Sequence, residues 1–403
     1  MNIKDFLTEQ WMNDYERQAR FNMTDTSALP MGMEELLAFE PDLFNGLVLD
    51  YGWITGDPAL RREILSLYED QREETLTMTN GTLQANELVM NILLKAGDHV
   101  VTITPGYQQF SDYPRWLGCT VSELPLIEDG WTLDWMALEE EFQKGTRLMV
   151  FASPNNPTGT WLNREEVLRL RDLARKYDVW ILCDEVYRQY DADECAMSDV
   201  YEKGVSTASL SKLFGLAGVR LGWVKACPEL IAQINVFRDY TLICAGPLSE
   251  KAAWAGLHHR QEILERSKKK IAENKKILAK WLEKSPWFSC QLPRKGTVSF
   301  LKLPEGLSSR EFAKGLLEET GIFFVPGWCF GMDQYVRLSL GRNFEDLEGV
   351  LDRIDVWTAK KMQAKKREAE HIRAVNPASR RRAKEVRKWE REPFAFYIRF
   401  LYI

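Results

Sequence analysis

Between Thr75 and Trp223, short apolar runs alternate with stretches of helical periodicity, and this alternation limits the fold more than any other feature. Leu76–Thr79 reads as a short strand and Gly81–Lys95 as a helix stopped by Gly97. His99–Thr104, Thr120–Leu124, Leu148–Ala152, Val179–Cys183 and Val205–Ser209 read as further strands. Asn163 with Glu166 three residues later makes a capping box for a helix running to Tyr177. Strands alternating with helices of this length predict a mostly parallel sheet covered on both faces. The expected class is therefore α/β, a three-layer αβα large domain with a mostly parallel sheet, joined to a smaller α+β domain.

The flanking segments suggest how the two domains are cut. Phe6, Leu7, Trp11 and Tyr15 are spaced for one helical face. A turn-rich stretch, Tyr51 to Pro58, leads into a helix with Leu60, Ile64, Leu65 and Tyr68 at helical spacing. From Pro228 the chain turns predominantly helical, with a long amphipathic pattern over Lys251–Trp281. Val298–Leu303, Ile322–Val325 and Tyr335–Leu340 are strand candidates, and Leu347–Trp357 is a closing helix. The expected division is a large domain over 46–255, a discontinuous small domain from 1–45 and 256–357, and a basic extension over 358–403.

Charge supports the last boundary. The 403 residues carry 53 Lys+Arg against 59 Asp+Glu, a net of −6, but the two signs are unevenly placed. From Thr358 onward there are 14 Lys/Arg against 5 Asp/Glu, a net of +9, which leaves the first 357 residues at −15. The extension reads as a solvated basic helix or a disordered appendage, with docking onto the acidic body, a membrane or nucleic acid as the functional alternative. No apolar stretch approaches the ~20 residues of a membrane helix, and the first residues lack a signal-peptide pattern. The seven cysteines are scattered and form no CxxC pair, and there are only four histidines. That speaks against a metal site or a disulfide framework and fits a reducing cytoplasm.

In open parallel sheets, ligands bind beyond the carboxyl ends of the strands, and the notable residues here fall at those ends. Gly81-Thr82 opens a helix whose free N–H groups suit a phosphate, though a plain turn needs no more than this. Tyr107 follows the next strand and is placed to stack on a flat ring or simply to pack. Asn156 sits in Ser-Pro-Asn-Asn-Pro-Thr-Gly, a rigid turn that holds a polar side chain at the sheet edge. Asp184 ends an apolar strand, where a desolvated carboxylate calls for a cation or serves as a helix cap; Tyr187 lies three residues on. Lys212, within Ser209-Leu210-Ser211-Lys212-Leu213-Phe214-Gly215, is a lysine in apolar surroundings and a candidate amine nucleophile for a Schiff base. Arg220, Ser209 and Ser211 are placed to hold an anionic group nearby. Together these residues ask for a flat, phosphorylated ligand with a basic ring nitrogen and an aldehyde, which pyridoxal 5′-phosphate satisfies.

From Tyr51 to Trp357 these motifs, in this order, resemble the class I/II aminotransferases, the fold-type I enzymes that use pyridoxal phosphate. The resemblance implies that Lys212 carries the cofactor as a Schiff base and then shuttles a proton. It implies that Asp184 pairs with the ring nitrogen, that Asn156 and Tyr187 bond the ring hydroxyl, and that Tyr107 stacks on the ring. Gly81, Thr82, Ser209 and Arg220 match the phosphate clamp, and Arg337 the residue that pairs with the substrate α-carboxylate, helped by Asn156. Tyr51 resembles the tyrosine passed to the neighbouring subunit's phosphate, so a homodimer is implied. An amino acid and a 2-oxo acid are the substrates implied.

One stretch departs from the common pattern. Where many members carry a glycine-rich segment, this chain reads Phe21-Asn22-Met23-Thr24-Asp25-Thr26-Ser27-Ala28-Leu29-Pro30. With Tyr107-Gln108-Gln109, it is similar to a branch of capreomycidine-synthase-type enzymes, so a lyase or cyclase is the alternative reaction. A nucleic-acid-binding regulator on this scaffold would need an N-terminal helix-turn-helix, and the 45 residues ahead of the core leave no room for one; neither nucleic acid nor membrane is expected as a partner.

Overall fold

Short, buried strands build the centre of this chain in a computed structural model that describes residues 3–375. After β1 (Phe21–Asn22) come β2 (Leu76–Thr79), β3 (His99–Thr104), β4 (Thr120–Pro125), β5 (Thr146–Ala152), β6 (Trp180–Asp184), β7 (Gly204–Ser209) and β8 (Gly222–Lys225). β2 to β8 form one sheet in the order β2-β8-β7-β6-β5-β3-β4. β8 runs antiparallel to both its neighbours, and the other pairs are parallel. The α/β class with a mostly parallel sheet is therefore observed.

The pleat explains the unbroken apolar runs. In β5, Leu148, Val150 and Ala152 point into one cluster with Leu88 and Val89 of an earlier helix and with Leu230, Ile231 and Ile234. Met149 and Phe151, equally buried, point to the other face. Each fully buried side chain of this kind stabilises the fold by about 1.5–3 kcal/mol before entropy is counted.

The helices follow local chemistry. In chain order the first five are α1 (Leu7–Tyr15), α2 (Met33–Phe39), α3 (Pro58–Leu65), α4 (Thr82–Leu93) and α5 (Gln109–Trp116). Asp57 caps α3 by accepting from the amides of Ala59 and Leu60, with Pro58 in the first turn. The helix Arg164–Tyr177 starts on the capping box read from Asn163 and Glu166.

β9 (Val298–Lys302), β10 (Ile322–Phe323), β11 (Val325–Pro326) and β12 (Tyr335–Ser339) complete the strands. β11, β12 and β9 form an antiparallel sheet in that order, and β10 pairs in parallel with β1. That last pairing, Phe21 with Ile322 and Asn22 with Phe323, ties the N-terminal segment to the late strands.

Three expectations are corrected. Lys251–Trp281 is two helices, Pro247–His258 and Arg260–Leu282, because the backbone at His259 leaves the helical region. β8 and the helix Trp135–Gln143 are additional elements. The closing helix does not stop at Trp357 but runs from Leu347 to Val375, into the basic segment. By its contacts the chain forms two units, Met1–Val350 with all twelve strands of the described residues and Leu351–Ile403, which is helical as far as it is described. The remainder of the basic extension, 376–403, lies outside the described residues.

Candidate active site

The carboxyl ends of β5, β6 and β7 lie side by side, with Ala152 paired to Asp184 and Asp184 to Thr207. The loops leaving these ends, together with α1, α4 and β12, enclose a cavity of ≈ 400 Å³. Its lining includes Thr82, Tyr107, Asn156, Asp184, Tyr187, Ser209, Ser211, Lys212, Arg220 and Arg337, ten of the twelve residues singled out in the sequence. Gly81 supports it from behind, and Tyr51 lies elsewhere.

Asp184 is only 5% exposed. Asn86, on α4, donates to its Oδ2 at 2.8 Å, and the amide of Val186 donates to Oδ1 at 3.0 Å. Burial pushes the carboxyl up to about 6, against the opposing pull of these hydrogen bonds and of Lys212. The observed contacts are those of a strand-end carboxylate aimed into a cavity, not of a helix cap. Glu185, next in the chain, pairs with Arg188 at 3.3 Å and accepts from the Ser206 hydroxyl at 2.5 Å, outside the cavity lining.

Lys212 sits just beyond β7. Its Nζ donates to Thr26 Oγ1 at 2.6 Å, and its carbonyl accepts from the Ala28 amide at 2.9 Å, so the segment 24–28 lies against the lysine loop. Asn156 is presented by a turn that Asn155 locks from inside. The Asn155 Nδ2 donates to the Pro105 carbonyl and to Thr158 Oγ1, both at 2.9 Å.

Arg337, on β12, is 6% exposed. Its Nε donates to Thr24 Oγ1 at 3.2 Å and its Nη1 to Asn156 Oδ1 at 3.3 Å. Both are neutral acceptors, and no carboxylate among the described residues pairs with it in contact. A buried guanidinium held only by neutral groups is costly until an anion arrives.

An anion cradle forms at the other end of the cavity. Gly81 caps α4 with φ +86°, and a Cβ there would stand 2.7 Å from Arg220 Nη2. Gly222 packs on the Gly81 backbone so closely that a Cβ would meet its carbonyl carbon at 2.7 Å. Arg220 itself holds a left-handed conformation, φ +52°, with Nη1 donating to the Ala217 carbonyl at 3.0 Å. The Thr82 hydroxyl, buried at the first turn of α4, has no hydrogen-bond partner. An orphaned hydroxyl, a helix N-terminus and a guanidinium around one space fit a phosphate group.

Tyr51 is 75% exposed and borders a separate hollow with Trp53, Ile54, Pro247, Glu250 and Lys251. A further cavity of ≈ 420 Å³ lies behind the Ser153–Gly159 turn, bordered by Trp131, Trp161 and Leu162. Away from both, Glu40, His258 and His259 gather within 4.8 Å, but His259 is taken by Glu40 and His258 by Glu63, each at 2.8 Å.

The sequence reading passed over several side chains that the fold brings here: Thr24, Thr26, Asn86, Thr8, Glu9 and Met12. Only Thr24 and Thr26 carried a signal, as part of the stretch that departs from the common pattern.

The family model for aminotransferase class I and II matches residues 28–354, spanning every strand of the central sheet and Arg337. The chain belongs to the class I and II aminotransferases. It is 29% identical over 327 residues to an aspartate aminotransferase of Pyrococcus horikoshii, covering 76% of this chain and 84% of that one. It is 25% identical over 350 residues to a capreomycidine synthase of Streptomyces vinaceus, covering 84% and 90%. Among solved structures, an aminotransferase from Streptococcus suis that depends on pyridoxal phosphate superposes with a TM-score of 0.86 at 35% identity, over 89% of this chain and 99% of that chain. This aminotransferase uses pyridoxal 5′-phosphate and exchanges an amino group between an amino acid and a 2-oxo acid. No helix among the described residues is long and apolar enough to cross a membrane.

Proposed function

We propose that the cavity is the active site and that its residues divide the work as follows. Gly81, Thr82, Ser209, Ser211 and Arg220 hold the cofactor phosphate. Tyr107 lies against the ring, Asp184 faces the ring nitrogen, and Asn156 and Tyr187 face the ring hydroxyl. Lys212 would hold the cofactor covalently through its aldehyde. When bound, the cofactor supplies an electron sink for the pair left behind when the substrate Cα loses its proton.

The chain's own groups do the rest. Arg337 and Asn156 receive the α-carboxylate of the amino acid, which fixes the Cα–H bond relative to Lys212. Lys212 Nζ, held by Thr26, would take the proton from the substrate Cα and hold it for return. Asp184, buried and hydrogen-bonded on both oxygens, keeps a proton on the ring nitrogen. The observation that carries this reading is Arg337, a buried guanidinium with neutral partners that faces the same cavity as Lys212 and Asp184. Titrating the holoenzyme with amino acids tests it. Conversion of the bound cofactor to its amine form, reversed by a 2-oxo acid, is the expected result. Elimination or cyclisation products with no amine form would instead establish the lyase or cyclase alternative.

We also propose a homodimer in which Tyr51 reaches the neighbouring site. Val48, Leu49, Tyr51, Trp53 and Ile54 are all more than half exposed, an apolar run that a second copy would cover. Mixing Lys212→Ala with Tyr51→Phe protein tests it, because only a shared site restores activity above the sum of the two variants. The division into a cofactor domain over 46–255 and a small domain from 1–45 and 256–357 belongs to the same proposal, supported by the separation of the seven-stranded sheet from the two small ones. A cytoplasmic location is supported by seven cysteines, all free.

A further inference from the structure

Six charged residues line the cavity: Glu9, Asp25, Asp184, Lys212, Arg220 and Arg337. In the reading above, Arg220 meets the cofactor phosphate, Asp184 the ring nitrogen, Lys212 the cofactor aldehyde and Arg337 the α-carboxylate. Asp25 is already engaged, since Oδ2 pairs with Arg342 at 3.3 Å and Oδ1 accepts from the Ser27 amide at 3.0 Å. Glu9 is left over. Its carboxylate makes no hydrogen bond or contact ion pair with any described residue, yet it lies within electrostatic range of Arg337 and Tyr107.

Glu9 is not a stray side chain on a loose segment. It lies on α1 between Thr8 and Met12, which line the same cavity. α1 is clipped at its start, where the Leu7 amide donates to Gln108 Oε1 and Gln108 Nε2 donates to the Asp5 carbonyl, each at 2.8 Å. The Phe6 ring lies 5.1 Å from that of Tyr107. Further along, the buried Trp11 Nε1 donates to the Phe324 carbonyl at 2.8 Å. α1 is thereby pinned to the loop carrying Tyr107 and to the strands beside Arg337, with Glu9 held over the space between.

We infer that the preferred amino acid carries a cation at the end of its side chain, an amine or a guanidine, and that Glu9 is the residue that selects it. This rests on Arg337 seating the α-carboxylate. The bound substrate then consumes the last cation of the lining, and the spare charge opposite is negative. A second carboxylate on the substrate would meet Glu9 with no cation left in this chain's lining to receive it. A cationic side chain would meet it as a charge-assisted pair at the exposed mouth of the cavity. The −15 charge of the first 357 residues attracts the same class of ligand from solution.

The test compares three groups of L-amino acids on the holoenzyme: lysine, ornithine and arginine; their neutral counterparts norleucine and citrulline; and aspartate and glutamate. Half-reaction kcat/KM is read for each group. Equilibrium binding is read with α-methyl analogues, which have no Cα hydrogen and do not turn over. The basic group is expected to exceed both others by about tenfold or more, and Glu9→Gln to collapse the lysine-to-norleucine ratio by a similar factor. Glu9→Lys is expected to reverse the preference toward the acidic group. Preference for acidic or neutral substrates, or a Glu9→Gln effect equal for all three groups, overturns the inference and leaves transamination standing. Absence of any half-reaction while the binding preference for cationic analogues persists overturns transamination and leaves the role of Glu9 intact.

Discussion

Asn86 donates to Asp184 Oδ2 at 2.8 Å, while its own Oδ1 accepts from the Thr207 hydroxyl at 2.6 Å. Gln109 joins the chain, its Oε1 accepting from Asn86 Nδ2 at 3.2 Å and its Nε2 donating to the Leu83 carbonyl at 2.8 Å. Two helices and a neighbouring strand thus orient one carboxylate, and the amide of Asn86 cannot turn over without giving up both bonds.

The first prediction concerns that carboxylate in the cofactor-free protein. The folded-state value of Asp184 is raised from 3.8 to about 6, so the folded form keeps its proton longer than the unfolded chain does. Stability therefore falls as pH rises from about 4 to about 6 and levels off above, by about 3 kcal/mol from this group alone. Asp184→Asn removes the titration. Urea unfolding of apoprotein at pH 4 and pH 7 is expected to show the variant gaining about that much relative to wild type across the interval. A parallel pH dependence in the two proteins would contradict it.

Lys212→Ala removes the amine proposed to hold the cofactor aldehyde. The visible absorbance of the linked cofactor is expected to disappear, and turnover to fall by about 10²–10⁴ or more. An unchanged spectrum would show that another group carries the cofactor.

Arg337→Lys keeps the charge and gives up the planar fork. KM for both amino and oxo acid should rise about 10- to 100-fold, the scale of a lost charge-assisted pair. The melting temperature should change little, because the variant still places one buried cation beside the same neutral acceptors. A large drop in stability with unaltered KM would make Arg337 a packing residue.

Thr82→Val separates folding from cofactor affinity at a single atom. In the apoprotein the buried hydroxyl has no partner, so its removal should leave stability unchanged or slightly improved. If the hydroxyl bonds the phosphate as proposed, the holoprotein loses that bond and the cofactor dissociation constant should rise about tenfold. Equal affinity in the two proteins would place the phosphate elsewhere.

The legibility of this chain in its sequence follows the range of the interactions involved. The helix Arg164–Tyr177 was readable to the residue because its capping box is a local arrangement of four positions. Asp184 and Lys212 were readable because an apolar strand ends immediately before each. β8 was not, since the four residues Gly222–Lys225 show no period of their own; the strand is held between β2 and β7, with Gly222 close against Gly81. The break at His259 hides inside a continuous amphipathic pattern. Thr24 and Thr26 become site residues through contacts that span 313 and 186 positions, to Arg337 and Lys212, and Glu9 through the docking of α1, so no short window contains both ends.

The pairing of β1 with β10 has a bearing on the order in which a ribosome delivers the parts. By residue 225 the emerging polypeptide possesses the whole central sheet, the anion cradle, Asp184 and Lys212. The segment from Phe21 to Thr26, made first, has no strand to dock on until Ile322 and Phe323 are synthesised, and Arg337 follows fourteen positions later still. A nascent chain can therefore assemble its cofactor pocket long before it can seat a substrate, and loading during translation would precede the birth of the activity.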